Sequence, residues 1–136
     1  MMTATSYGLF DVDNCESADA LTRFASVENG AGWLPYFMGR IDKMRGMGCN
    51  GPWIGGQLEE RPTAIAKRHL VVAPNPEDDV HAIVDQVGHE MIAMASDHPH
   101  AEGLVEPDDF RNLVDRLPED QQRWTQRENG FSLGMG

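Results

Sequence analysis

The chain has 136 residues, a length that predicts a single domain over 1–136 with a modest core. Its formal net charge is −11 and it has no run of lysine or arginine, which argues against a nucleic-acid backbone or an anionic membrane as partner. The sequence shows no stretch near the roughly 18 apolar residues of a membrane span and no signal-peptide pattern at its start. Its two cysteines suggest no disulfide framework, so the cytoplasm is the expected compartment.

The N-terminal half predicts two short strands and two helices. YGLFDV at 7–12 is typical of a buried strand ending in acids, and Ser17 is a candidate N-cap for the helix that follows. FASVENG at 24–30 predicts a second short strand, closed by an Asn-Gly pair. Apolar residues at helical spacing predict a helix over 32–47, and the glycine- and proline-rich stretch 48–64 predicts a long loop.

The C-terminal half alternates predicted strands and helices. A strand is expected at about 69–73 and a helix at 76–88, where proline and three acids suit the first turn and glycine suits the end. The apolar run at 90–96 predicts the next buried strand, and two proline-initiated helices follow at 106–117 and 118–129. This alternation implies parallel strands with right-handed crossovers, and therefore an α/β fold.

Acidic residues follow the predicted strands, at the edge where parallel sheets carry their chemistry. Four acids lie at or just past strand ends: Asp11, Asp13, Glu28 and Asp97. Asp97 could ligate a divalent metal or take a proton from a metal-bound water. The plainer interpretation is an aspartate that caps its own loop.

Two histidines follow Asp97 in the sequence SDHPHAEG. The intervening proline favours an extended segment, so the side chains of His98 and His100 are expected to point the same way and could face one site. Two solvated loop histidines are the plainer alternative. Near the N-terminus, Asp11, Asp13 and Cys15 would share a face of a continued strand and could hold a metal ion, with ordinary turn chemistry as the alternative.

Together, several stretches resemble the amidohydrolase-2 family, the metal-dependent hydrolases and decarboxylases related to aminocarboxymuconate-semialdehyde decarboxylase. IAMASDHPHAEG is similar to that family's last barrel strand with its G-S-D-x-P-H signature, and VVAPNPEDDVHAIVDQVG is similar to the strand and helix before it. VENGAGWLPYFMGRID resembles the sixth strand and helix, and YGLFDVDN with ESADALTR resembles the opening strand and its loop. The tail LPEDQQRWTQRENG resembles the terminal helix.

The resemblance implies a partial (β/α)₈ barrel. A complete barrel takes about 250 residues, and the similar stretches pass from strand one directly to strand six. The expected fold is therefore a half TIM barrel with flanking helices, whose parallel strands are equivalent to barrel strands 1, 6, 7 and 8. A half barrel exposes sheet edges and an inner apolar face, so a homo-oligomer is expected.

The resemblance also implies roles for individual residues. Asp97 would be catalytic, His100 would contact substrate, and Asp13, Cys15 and Asp97 would hold a divalent metal, zinc by preference, if the site is occupied. The family's histidine ligand from strand five has no counterpart, and Glu28 lies near the position of the strand-six histidine. The expected function is metal-dependent hydrolase or decarboxylase (lyase) activity on a small carbonyl or carboxylate compound, with a site that is incomplete in a monomer. A non-catalytic half-barrel remnant, which acts only by oligomerising or binding a partner, is the alternative.

Overall fold

The structure of the protein is a computed structural model. The described residues are 23–47, 58–96, 98, 100, 101 and 103–133. The predicted strand at 7–12 therefore falls outside the described residues, and so does most of the helix predicted over SADALTRFA, 17–25. That helix prediction is wrong at its described end, because Phe24 and Ala25 belong to a strand.

A small parallel sheet links distant parts of the chain. Strand β1 (Phe24–Ser26) pairs in parallel with β2 (Leu70–Val72). On the other side of β2, Val72 forms a parallel bridge with Ile92, and the amide of Ala93 donates to the Val72 carbonyl at 3.1 Å. Three segments from separate parts of the sequence thus run in the same direction. The predicted α/β class is confirmed.

The described residues form six α-helices. Their bounds are α1 (Leu34–Met47), α2 (Pro62–His69), α3 (Val80–Val87), α4 (Phe110–Leu113), α5 (Glu119–Arg123) and α6 (Asn129–Phe131). Short 3₁₀ turns precede Ile92 and α4, at His89–Met91 and Pro107–Asp109. A π-helical turn, Trp124–Glu128, joins α5 to α6.

The predicted helix over 32–47 is confirmed as α1, and strands are confirmed within 24–30 and 69–73. The predicted loop over 48–64 is wrong at its end, because α2 begins at Pro62. Proline suits the first helical turn.

Contacts with α1 hold the start of α2. The Thr63 amide and hydroxyl both donate to a carboxylate oxygen of Asp42, at 3.2 and 3.1 Å. This anchor comes from a residue 21 positions away, so local composition could not reveal it.

The predicted helix at 76–88 starts later than expected. Asp79 is its N-cap, and its side chain accepts from the Ala82 amide at 3.1 Å. The end at Gly88 is confirmed. The apolar side chains of the helix share one buried face, and each of them is at most 6% exposed: Val80, Ile83, Val84 and Val87.

The predicted helix over 106–117 is shorter than expected, because Val114 leaves the helical region with φ −124° and ψ 9°. The side-chain amide of Gln122 donates to the carbonyls of Asp115 (3.1 Å) and Leu117 (2.7 Å) and so satisfies groups beyond the helix end. Val114 and Leu117 are buried in this turn. The helix predicted over 118–129 is confirmed, with a π turn inside it.

Two glycines with opposite backbone requirements give the first testable expectation. Gly88 has φ +98° and ψ 149°, and an added β-carbon would collide with the carboxylate of Glu90. We expect Gly88→Ala to lower the free energy of unfolding by about 1–3 kcal/mol. Gly39 lies inside α1, and a β-carbon added there would have no atom within 4 Å. Gly39→Ala should therefore raise the free energy of unfolding by about 0.5–1 kcal/mol. Urea denaturation of both variants checks this, and effects of the same sign would contradict it.

An ion pair joins α2 to the turn that precedes Ile92. Lys67 Nζ lies 2.8 Å from Glu90 Oε1, and both side chains are about a third exposed. Burial by itself raises the pKa of Glu90. The Lys67 hydrogen bond, a backbone hydrogen bond and the charges of Lys67 and His89 outweigh burial, so the pKa lies below its ordinary value of 4.5.

This lowered pKa gives a pH dependence of definite sign. The folded state holds Glu90 ionised more strongly than the unfolded state does, so its contribution is fully present above pH 4.5. The contribution is lost as the pH falls through the lower folded-state pKa. We expect Glu90→Gln to reduce the slope of unfolding free energy against pH in the acidic range. Glu119→Gln, at an exposed position of α5, is the control and should keep the wild-type slope. Identical slopes in the wild type and Glu90→Gln would contradict the assignment.

Candidate functional site

The carboxyl ends of the three parallel segments meet at one edge of the sheet. Residues 27–33 follow β1, residues 73–79 follow β2, and the described residues of 93–104 follow the bridge at Ile92. We call these three segments the strand-end edge. Ligands of open α/β sheets bind outside the carboxyl ends of the strands, so this edge is the candidate site.

Asp78 fastens the first two of these segments to each other. Its Oδ2 accepts from the backbone amides of Ala31 (2.7 Å) and Asn75 (2.8 Å). Gly30 lies between them with φ +61°, and a β-carbon there would lie only 3.0 Å from Asn75 Nδ2 and from Asp78 Oδ2. Charge-assisted hydrogen bonds of this kind are short and strong, so Asp78 fixes the segment after β1 relative to the segment after β2.

Glu28 lies at the end of β1 in an unusual backbone conformation. It is the one non-glycine residue among those described that has a positive φ, 62°. Such a conformation costs about 1–3 kcal/mol and persists only where its surroundings impose it. The Asn29 side chain donates to the Val27 carbonyl at 2.8 Å, and Trp33 Nε1 donates to the Gly30 carbonyl at 2.9 Å. The exposed carboxylate of Glu28 is therefore carried by a well-defined turn.

The third segment turns back on itself after the bridge. The Leu104 amide donates to the Ser96 carbonyl at 2.8 Å, and the Gly103 amide donates to the His100 carbonyl at 3.1 Å. His98 and His100 are both exposed at the strand-end edge. The substrate contact predicted for His100 stays a prediction.

The C-terminal helices anchor the polypeptide that leads into this third segment. The buried side chain of Asn129 donates to the carbonyls of His89 and Ile92, each at 2.8 Å. The carbonyl of buried Thr125, in the π-helical turn, accepts from the Met94 amide at 2.8 Å. These bonds replace sheet pairing, so the strand predicted over 90–96 is reduced to the bridge at Ile92. Sequence reasoning missed both anchors, because an asparagine and a threonine four positions apart in a helix give no signal.

The three predicted metal ligands, Asp13, Cys15 and Asp97, lie outside the described residues, and their roles stay predictions. Within the described ranges, no group of three or more histidine, cysteine, aspartate or glutamate side chains could hold a metal ion. The described part of the strand-end edge therefore does not make a metal centre by itself.

Two other properties of the described residues are relevant to the choice of site. A shallow cavity of about 390 Å³ lies between α3 and the start of α5, and none of its lining residues belongs to the strand-end edge: His81, Asp85, Arg116, Leu117, Pro118 and Gln121. No described helix is long and apolar enough to cross a membrane.

A comparison with solved structures identifies a protein that this chain resembles. The chain is similar to the crystal structure of an amidohydrolase from Mycobacterium avium subsp. paratuberculosis K-10, with a TM-score of 0.70 and 26% sequence identity. The similarity covers 82% of this chain. A hydrolase-related fold is thereby supported. The match covers only 27% of the mycobacterial chain, so this chain spans about a quarter of that protein's length.

The other two comparisons gave nothing: no protein-family model matches the chain, and no curated protein matches it. The resemblance to amidohydrolases that the sequence predicted is confirmed at the level of the structural neighbour. Membership of the amidohydrolase-2 family and the half-barrel arrangement stay predictions.

Proposed function

We propose that the chain is an amidohydrolase-related protein whose hydrolytic chemistry belongs to the strand-end edge. The observation that carries the proposal is the structural likeness to an amidohydrolase over 82% of the chain. The convergence of three parallel segments on one edge supports it, because the chemistry of α/β folds takes place at the carboxyl ends of their strands.

The proposed roles follow the sequence resemblance. Asp97 follows Ser96 directly and would accept or donate the proton that hydrolysis moves. His100, exposed on the same segment, would orient a small carbonyl or carboxylate substrate. A divalent metal, zinc by preference, would supply Lewis-acid chemistry when held by Asp13, Cys15 and Asp97. Decarboxylation is the other reaction that the resemblance allows.

We further propose that the site is incomplete in one chain and is completed in a homo-oligomer. Among the described residues, β1 pairs only with β2, which leaves its other edge without a described neighbour. Phe24 and Val27 lie on or beside this strand and are 53% and 51% exposed. A strand edge that carries apolar side chains and has no partner strand is a site for association with a second chain, and the described residues leave β1 with such an edge.

The same observation supports the second candidate, a non-catalytic half barrel that acts only by oligomerising or binding a partner. The two candidates differ in turnover. Both place the chain among amidohydrolase-related proteins, and both need the open edge. Only the first needs a working proton donor or acceptor at Asp97.

Hydrolysis of 4-nitrophenyl acetate, with zinc or manganese added, tests the enzymatic proposal. We expect Asp97→Asn to reduce kcat/KM about 100-fold or more, because proton transfer by a positioned side chain contributes roughly 10²–10⁴-fold. Asp120→Asn, on α5 and exposed, is the matched control and should retain the wild-type rate. Equal rates for both variants would contradict the role of Asp97, and absence of turnover in the wild type would favour the non-catalytic module. Release of CO₂ from a hydroxybenzoate tests the decarboxylase alternative.

A further inference from the structure

The charged residues are unequally divided between the two edges of the sheet. The three segments of the strand-end edge contain none of the chain's 11 lysine and arginine residues. Their described residues include four acids: Glu28, Glu77, Asp78 and Asp79. The sequence of the third segment adds Asp97 and Glu102, which lie outside the described residues. The opposite edge carries cations, since Arg23 directly precedes β1 and Lys67 and Arg68 lie just before β2.

The cationic side chains of the opposite edge form hydrogen bonds and ion pairs with neighbouring groups at that edge. Arg23 Nε donates to the Arg68 carbonyl at 2.9 Å, Lys67 pairs with Glu90 at 2.8 Å, and Arg68 pairs with Glu60 at 2.6 Å. These contacts hold all three cationic groups at the amino ends of the strands. The positive charge of the sheet is therefore kept away from the strand-end edge.

The four described acids of the strand-end edge fall into two groups. Asp78 and Asp79 accept hydrogen bonds from backbone amides and are used in building the loops. Glu28 and Glu77 are exposed, and the positive φ of Glu28 sets the position from which its carboxylate meets solvent. A bound divalent cation would offset two of the four negative charges that the described residues carry, so the net charge of the edge would stay negative.

We infer that the strand-end edge selects neutral or cationic carbonyl substrates over carboxylates, an inference that rests on the proposed function. Recognition of a carboxylate relies on cationic or N–H donor groups, and a cleft lined by one sign of charge concentrates ligands of the opposite sign. The edge supplies acids and no lysine or arginine. This narrows the reaction to hydrolysis of an ester or amide and disfavours decarboxylation of an anionic substrate.

The same charge favours departure of the product. In hydrolysis the oxygen of water bonds to the carbonyl carbon, the bond to the leaving oxygen or nitrogen breaks, and a proton of the water ends on the leaving group. The acid that forms ionises at neutral pH. An acidic edge attracts the neutral or cationic substrate and repels this anionic product.

Charged nitroxide spin probes test the electrostatic part without any need for turnover. The paramagnetic relaxation of amide protons is measured with a cationic and an anionic probe of the same ring structure. For the amide protons of Asn29 and Glu77, we expect the cationic probe to cause relaxation enhancement about threefold or more that of the anionic probe at low salt. This difference between the probes should decrease as the salt concentration rises. The Arg68 amide, at the opposite edge, is the internal reference. Equal or stronger relaxation by the anionic probe at Asn29 and Glu77 would overturn the inference.

Three 4-nitrophenyl esters of similar acyl size test the selection itself: cationic 4-(trimethylammonio)butanoate, neutral 5,5-dimethylhexanoate and anionic glutarate. We expect kcat/KM for the cationic ester to exceed that for the anionic ester about tenfold or more at low salt. Glu28→Gln should reduce this ratio, and Glu119→Gln should not. A ratio at or below one would overturn the inference. If no ester is hydrolysed while the nitroxide contrast is present, the proposed function fails and the charge preference of the edge stands.

Discussion

Replacing Phe110 by alanine is expected to lower the free energy of unfolding by about 3–5 kcal/mol. Phe110 begins α4, is 0% exposed, and is the largest fully buried side chain among the described residues. It packs in the core cluster with Leu34 of α1, Val84 of α3 and Met91. Its removal would leave a cavity where helices from both halves of the sequence meet.

The size of this effect follows from the stability of small domains. Their unfolding free energies are about 5–15 kcal/mol, so the substitution removes a large share of the total. Urea denaturation followed by circular dichroism measures it. Phe131→Ala, at a side chain that is 59% exposed, is the matched control and should stay within about 0.5 kcal/mol of the wild type. Similar losses in both variants would show that the core is not organised around Phe110.

The second large effect is expected for Asn129→Ala. The Asn129 side chain is 1% exposed, and it satisfies the carbonyls of His89 and Ile92 from inside the C-terminal helix. Its removal leaves these two acceptors without their partner in a dry region, at a cost of about 2–4 kcal/mol. The loss would also release the polypeptide that leads to the third segment of the strand-end edge.

Two measurements separate this anchoring role from a general loss of packing. Urea denaturation gives the loss of stability, and Asn112→Ala, at an exposed side chain that donates to Asp109, is the control that should change it little. Hydrogen exchange gives the local effect. We expect the Met94 amide of Asn129→Ala to exchange faster relative to the Val84 amide in α3. Equal acceleration at both sites would contradict a local anchor.

Much of the fold could be predicted because local signals agree with tertiary packing. The apolar spacing of α3 identifies the face that reaches the core, and Gly88 ends α3 as expected. In α1 the spacing predicts the helix but not its buried face, because Leu34 and Met38 are buried while Phe37 and Met44 are exposed. The parallel direction of β1, β2 and the Ile92 bridge follows from the alternation of strands and helices. The structural likeness to an amidohydrolase agrees with the resemblance to amidohydrolases seen in the sequence.

The errors occur where side chains distant in sequence decide the local structure. Helix α2 begins where Asp42 of α1 holds Thr63, and the strand predicted over 90–96 is cut short because Asn129 and Thr125 take backbone groups that a sheet would use. Such long-range hydrogen bonds leave no periodic pattern. Asp78 is a related case within the site. The position of the three acids after Pro76 suggests a role at the helix dipole, whereas Asp78 ties two loops together.

The candidate site itself could be predicted only in part. The strand-end position of Glu28 is expected from sequence, but its positive φ follows from a turn fixed by Asp78 and by the Trp33 side chain. The ligand set Asp13, Cys15 and Asp97 comes from family resemblance.

Elemental analysis of the peak from size-exclusion chromatography with light scattering tests the central claim most directly, because it gives metal content and molar mass on the same protein. We expect one divalent metal per chain on a defined homo-oligomer, with Asp97→Asn losing the metal while keeping the molar mass. Metal-free protein in that peak, or a monomer that holds the metal and hydrolyses esters alone, would contradict a site completed by association.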